Sequence, residues 1–202
     1  MAVSREAEEV PAAIREAVPE WDDEYLSAVA GRLLYNYDLE KEYEAAGREW
    51  QLYGEFRAKT QKQFFHPALS YADHETEEHL LVQRIDRPTV ETLQTFVDDG
   101  HDLADTWIEP NEEHYGTDIT FVVVAETIPE AVADYVSDFR DRTLLKFGYY
   151  GHYEVNLVVV APDTENCVAS QTADAAAAFR LWDDVPESDE GLLSQVAKRF
   201  WR

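Results

Sequence analysis

The stretch Thr117 to Thr127 restricts the fold of this chain more than any other. At its centre Phe121-Val122-Val123-Val124 is apolar at every position, and successive side chains of a strand point to opposite faces. Both faces of such a strand must be covered, which places it in the middle of a sheet rather than at an edge. The remaining chain has to supply flanking strands and covering helices.

Flanking strands are readable. Trp50, Leu52, Gly54, Phe56 and Ala58 alternate with Gln51, Tyr53, Glu55, Arg57 and Lys59, the period of two expected of a strand. With Ala46-Gly47-Arg48 as the turn, residues 38–45 and 49–59 form a hairpin. Residues 64–69 and 79–85 read as further strand material. Residues 143–149 and 153–161 read as a second hairpin around Gly151, with Phe147, Tyr149, Tyr153 and Val155 facing the core and Tyr150 and His152 pointing outward.

Helices follow from apolar stripes and caps. One starts at Asp22 or Asp23 and carries Tyr25, Leu26, Val29, Ala30, Leu33 and Leu34 on one side. Another starts at Arg87-Pro88-Thr89, carries Val90, Leu93, Phe96 and Val97, and runs toward Trp107 with a break or cap near Gly100. Pro129 opens a third, with Val132, Tyr135, Val136 and Phe139 inward, and residues 173–181 make a short fourth. The resulting class is α+β: a mixed, largely antiparallel sheet with β-hairpins, covered by amphipathic helices. Residues 1–202 are expected as one domain, with 1–20 an N-terminal helical extension and 183–202 a charged linker and C-terminal amphipathic helix.

Charge sets the environment. The chain has 42 Asp and Glu against 17 Lys and Arg, a formal net charge of -25, yet 45% of its residues are hydrophobic. That apolar content distinguishes it from a disordered acidic chain, so the charge belongs on a folded surface. At molar salt the Debye length shrinks to about 3 Å and such a surface stops repelling itself. Lysine is confined to Lys41, Lys59, Lys62, Lys146 and Lys198. The composition resembles that of a halophile's cytoplasmic protein, as from haloarchaea. The single Cys167 cannot form an internal disulfide, and no apolar run is long enough to span a bilayer. A membrane role is not expected, and the net charge argues against nucleic acid.

Three constellations bear on chemistry. The tripeptides Glu77-Glu78-His79 and Glu112-Glu113-His114, with His74 upstream, offer a ligand set for a divalent metal: His74, Glu78, His79, Glu113 and His114. No cofactor is otherwise predicted. His74 and His79 are five apart and so lack the shared helical face of a His-Glu-x-x-His pair, and in so acidic a chain Glu beside His also arises on a solvated surface. Second, Glu55, Arg57 and Lys59 alternate onto one strand face after Asp38, faintly like the core of metal-dependent nucleases. Arg57 stands where that pattern has lysine, and it cannot accept a proton. Third, the turn Phe147-Gly148-Tyr149-Tyr150-Gly151-His152-Tyr153, with Lys146 before it, offers rings able to stack a ligand or a partner. Ligand-binding candidates are therefore Glu55, Arg57, Lys146, Tyr150 and His152. No phosphate-cradling glycine loop or Gly-x-Ser-x-Gly elbow is present.

Leu52-Tyr53 in the hairpin, Glu78-His79 at a strand start, the Glu112-Glu113-His114 loop and Leu145-Lys146-Phe147-Gly148-Tyr149 together resemble an uncharacterised prokaryotic family of haloarchaea and some bacteria. The resemblance covers roughly residues 21 to 182 and implies no catalytic residues. The missing motifs and abundant aromatics favour a noncatalytic intracellular binding or interaction protein, with an unknown protein partner or a second copy of itself. A His/Glu metal-binding protein and a metal-dependent hydrolase or nuclease are the alternatives. The charge carries its own prediction: the melting temperature should rise with KCl up to the molar range, and a temperature independent of KCl would contradict a salt-screened surface.

Overall fold

The computed structural model describes residues 19, 21–62 and 72–183. The expected strand material at 64–69, the extension at 1–20 apart from Pro19, and the linker and terminal helix beyond Asp183 lie outside the described residues. The fold is α+β around a seven-stranded mixed sheet in the order β1-β2-β3-β4-β6-β5, with β7 also paired to β6.

β1 (Asp38–Ala45) and β2 (Arg48–Lys62) form the expected hairpin. Ala45 pairs with Arg48, so the turn is Ala46-Gly47 alone, with φ of 51° and 70°. Two positive φ values give the two-residue turn whose twist matches that of paired strands, and glycine takes the second at little cost. β2 pairs antiparallel with β3 (Ala72–Arg84), while β3 with β4 (His114–Val124) and β4 with β6 (His152–Ala161) are parallel. β5 (Asp141–Leu144) and β7 (Asn166–Ala169) lie antiparallel on the outer side of β6.

α1 (Glu24–Leu33) begins where Asp23 Oδ1 accepts the amides of Tyr25 and Leu26, and α2 (Val90–Trp107) begins where the Thr89 hydroxyl accepts that of Thr92. These caps satisfy donors that the first turn of a helix leaves open. α3 (Glu130–Asp138) follows Pro129, and α4 (Ala176–Phe179) is a single turn. Among the described residues no helix is long and apolar enough to cross a membrane.

The apolar residues separate into two clusters, one on each face of the sheet. Leu52, Leu80, Val82, Val122, Val124, Val158 and Val160 pack with Leu26, Val29 and Leu33 of α1 and Phe179 of α4. Trp50, Leu81, Ile119, Phe121, Val123, Leu157 and Val159 pack with Leu93 and Phe96 of α2 and Val132 and Val136 of α3. β4 is thus central and covered on both sides. Trp50 and Leu52 fall on opposite faces despite their spacing of two, so the alternation of β2 slips once, beside a positive φ at Glu42.

Two expectations are corrected. α2 does not break at Gly100. There the helix crosses the sheet so closely that a Cβ would sit 3.0 Å from Phe121 Cε2 and from Val155 Cγ2. Nor does alternation run through the second hairpin. β5 ends at Leu144, and Lys146, Phe147 and Gly148 then take φ of 47°, 59° and 87°. That left-handed turn takes the chain out of the pleat, leaving Phe147 and Tyr149 exposed, whereas His152, back in a strand, is buried.

The close approach at Gly100 is testable by overpacking. Gly100→Leu should destabilise the protein by about 1–3 kcal/mol in denaturant unfolding despite leucine's better helix propensity; an unchanged or raised midpoint would show that the interface yields.

Candidate functional site

The apolar residues occupy the C-terminal halves of β3, β4 and β6. The N-terminal halves carry Glu77, Glu78 and His79, then Thr117, Asp118 and Thr120, then His152, Glu154 and Asn156. Alternation divides these between the two faces.

On the α2 face, strand register sets Glu55 beside His79 and Arg57 beside Glu77. His79 is only 3% exposed. Its Nδ1 lies 2.8 Å from the Tyr53 hydroxyl, and the Trp107 ring packs 4.6 Å from it. Burial above all, then nearby Glu55, pushes the Tyr53 phenol upward, so it keeps its proton. The other imidazole nitrogen, Nε2, is buried with no hydrogen-bond partner and stands 3.8 Å from Glu77 Oε2. Arg57 Nε lies 3.4 Å from Glu77 Oε1 and also bonds Glu55. The His79 imidazole, followed by the Arg57 guanidinium, holds Glu77 below the ordinary carboxylate range against the opposing effect of burial. The corner offers hydrogen-bond acceptance at Glu77, while Arg57 only donates hydrogen bonds and is committed to two carboxylates.

His114 does something else. Its Nδ1 is 2.7 Å from the Tyr150 carbonyl and its Nε2 2.9 Å from Thr117 Oγ1. A carbonyl only accepts, so Nδ1 carries a proton. The ring therefore ties the start of β4 to the loop 145–151. Gly151 completes the tie, since a Cβ there would lie 2.1 Å from the Tyr115 carbonyl oxygen.

Among the described side chains the candidate metal ligands are dispersed. Glu78 points away from His79 to the opposite face, Glu113 is exposed, and His114 bridges to the loop. His74 pairs with Thr60 through its backbone, and its side chain lies outside the described residues. Among the described residues no three His, Cys, Asp or Glu side chains are placed to hold a metal ion. Asp38 and Glu55 are cross-strand partners.

The α1 face holds a constellation that sequence reasoning missed. Glu78, Asp118 and Glu154 occupy one register row on three adjacent strands and are 7%, 8% and 3% exposed. The Tyr37 hydroxyl donates to Glu78 Oε2 at 2.8 Å; burial, then Glu78 itself, pushes that phenol strongly upward. Arg142 Nη1 and His152 Nε2 stand 3.5 and 3.6 Å from Glu154 Oε1, and Arg142 Nη2 lies 3.2 Å from His152 Nδ1. A guanidinium only donates, so His152 Nδ1 accepts and its proton sits on Nε2, toward Glu154. The readable signal was a lone acid inside an apolar strand: Asp118 before Ile119 and Glu154 before Val155.

The lowered Glu77 carboxyl gives a signed prediction. A depressed folded pKa stabilises the fold above the ordinary value of 4.5 and loses that contribution as pH falls through the folded pKa. Glu77→Gln should therefore flatten the acid limb of the stability profile below that value, whereas profiles that stay parallel would refute the pairing.

No curated protein and no solved structure matches this chain. A family model does, over residues 22–181, which span the described sheet and its helices. On that match the chain belongs to the family described as Domain of unknown function (DUF8052).

Proposed function

We propose that this protein is a noncatalytic binding protein of a salt-rich cytoplasm that docks through the loop after β5 onto an acidic protein surface. The observation carrying this is the exposure of the loop's rings, Phe147 101% and Tyr149 88%, beside Leu144, the last residue of β5, at 59%. Each such ring buries roughly 150–250 Å² on a partner, the kind of anchor that dominates interfaces.

Two further features support the reading. The loop is held rigid by backbone bonds from Leu145 N–H to the Gly151 carbonyl and from Tyr150 N–H to the Leu145 carbonyl, besides the His114 tie. A rigid loop loses little freedom on binding. The segment is also electrostatically distinct: from Arg142 to Tyr153 it contains Arg142 and Lys146 and no Asp or Glu, in a chain of net charge -25. At contact distance, where molar salt screens least, charge complementarity thus favours acidic residues on the partner.

A photo-crosslinking phenylalanine at position 147 of the full chain tests this in cells. The expected result is an adduct with one protein other than the chain itself, on a peptide with Asp or Glu around apolar residues, and its loss on Lys146→Glu. With that partner, Phe147→Ser with Tyr149→Ser should cost roughly 2 kcal/mol, about 30-fold in affinity. No adduct, a lipid adduct or an adduct only with a second copy would overturn it.

A further inference from the structure

We propose that the outer edge of β5 takes up an extended segment of the partner as an added strand, and that this segment carries an acidic and an apolar side chain two residues apart. Strand addition rests on the docking reading and specifies how the partner is held. Among the described residues β5 pairs with β6 alone. Opposed residues of an antiparallel pair alternate between those that exchange both backbone bonds and those that exchange none. Leu145 N–H bonds the Gly151 carbonyl, continuing the register in which Leu144 faces His152. Thr143 and Asp141 therefore also turn their backbone groups toward β6, while Arg142 and Leu144 turn theirs outward. No described backbone group pairs with the amides and carbonyls of those two residues.

The two outer strands differ in what they offer a newcomer. β1 presents exposed Glu40, Glu42 and Glu44, and Glu42 holds a φ of 56°, so charge and a local kink both hinder an added strand. β5 has no residue of positive φ, and its outward positions carry Arg142, whose side chain is 55% exposed, and the exposed Leu144. Side chains two apart share one face of a strand, so an acid opposite Arg142 and an apolar residue opposite Leu144 fall two apart in the added segment. Opposite-charge and apolar pairs across strands are the ones that stabilise a sheet. Arg142 keeps its contacts with Glu154 and His152 in this arrangement, because a guanidinium has five donors and more than half of this side chain faces water. Phe147 and Tyr149, just past the end of β5, extend the apolar surface beyond Leu144. Backbone bonds along the edge then supply affinity, and alternate side chains supply specificity.

The test adds the end-blocked peptide Thr-Asp-Thr-Val-Thr-Phe to the isotopically labelled full chain in molar KCl. Binding should be saturable and should slow hydrogen exchange at the Arg142 and Leu144 amides at least tenfold, with little change at Thr143, whose amide already lies in the ladder. Two N-methylated peptides separate strand pairing from side-chain contact. Methylating the Asp, Val and Phe amides removes the donors on one edge of the peptide, and methylating the three Thr amides removes those on the other. Only one of the two should lose affinity, by tenfold or more. Lysine in place of the peptide's Asp should weaken binding at least threefold. No saturable binding, both methylated peptides binding alike, or slowed exchange that follows protein concentration without peptide would overturn the proposal. A crosslink from position 147 with unchanged exchange at Arg142 and Leu144 would remove strand addition and leave docking by the rings, whereas slowed exchange without a crosslink would do the reverse.

Discussion

Burial of β4 on both faces is the constraint from which the architecture follows. With Ile119, Phe121 and Val123 toward one face and Val122 and Val124 toward the other, neither side tolerates water. Each fully buried aliphatic or aromatic side chain contributes about 1.5–3 kcal/mol. α1 and α4 cover one face, α2 and α3 the other. The helices α2 and α3 lie between consecutive strands of the chain, and this is what allows β3, β4 and β6 to run parallel, since a parallel pair needs a long crossover.

The same pleat that divides the core also divides the chemistry. Glu77, Glu78 and His79 are neighbours in sequence, yet Glu78 meets Tyr37 on the α1 face while Glu77 and His79 meet Arg57 and Tyr53 on the α2 face. A cluster in sequence becomes two unrelated environments because the strand period is two. Conversely, Glu78, Asp118 and Glu154, separated by tens of residues, become one row through register.

In a chain with 42 acids and 17 Lys and Arg, basic side chains are placed on specific tasks. Arg32 donates to the carbonyls of Arg180 and Leu181 and so fastens the segment after α4 to α1. Arg48 forms an ion pair with Asp99 and lies over the Trp50 and Phe96 rings, closing the hairpin end against α2. Arg84 pairs with Asp23, the cap of α1. Carboxylates dominate the outer strand β1, where Glu40, Glu42 and Glu44 are exposed, with Lys41 Nζ 3.7 Å from Glu42 Oε1, and discourage pairing with another chain.

The sequence alone determined the elements whose signal is local. The apolar run of β4, the β1–β2 hairpin turning within Ala46-Gly47-Arg48 and the helix starts at Asp22 or Asp23 and at Thr89 are written in consecutive residues, because strand period, helix caps and turn dihedrals are short-range physics, whereas the two-residue turn and the slip in β2 came from strand pairing. Tertiary structure decided whatever depends on register or on departure from regular backbone. The left-handed turn at Lys146 and Phe147 carries no strong local signature, so the exposure of Phe147 and the burial of His152 were invisible to alternation. The convergence of Glu55, Arg57, Glu77 and His79 in one corner, the use of His114 as a tie, and the carboxylate row all required knowing which strand lies beside which. That order is set by how the apolar faces of four helices close over the sheet.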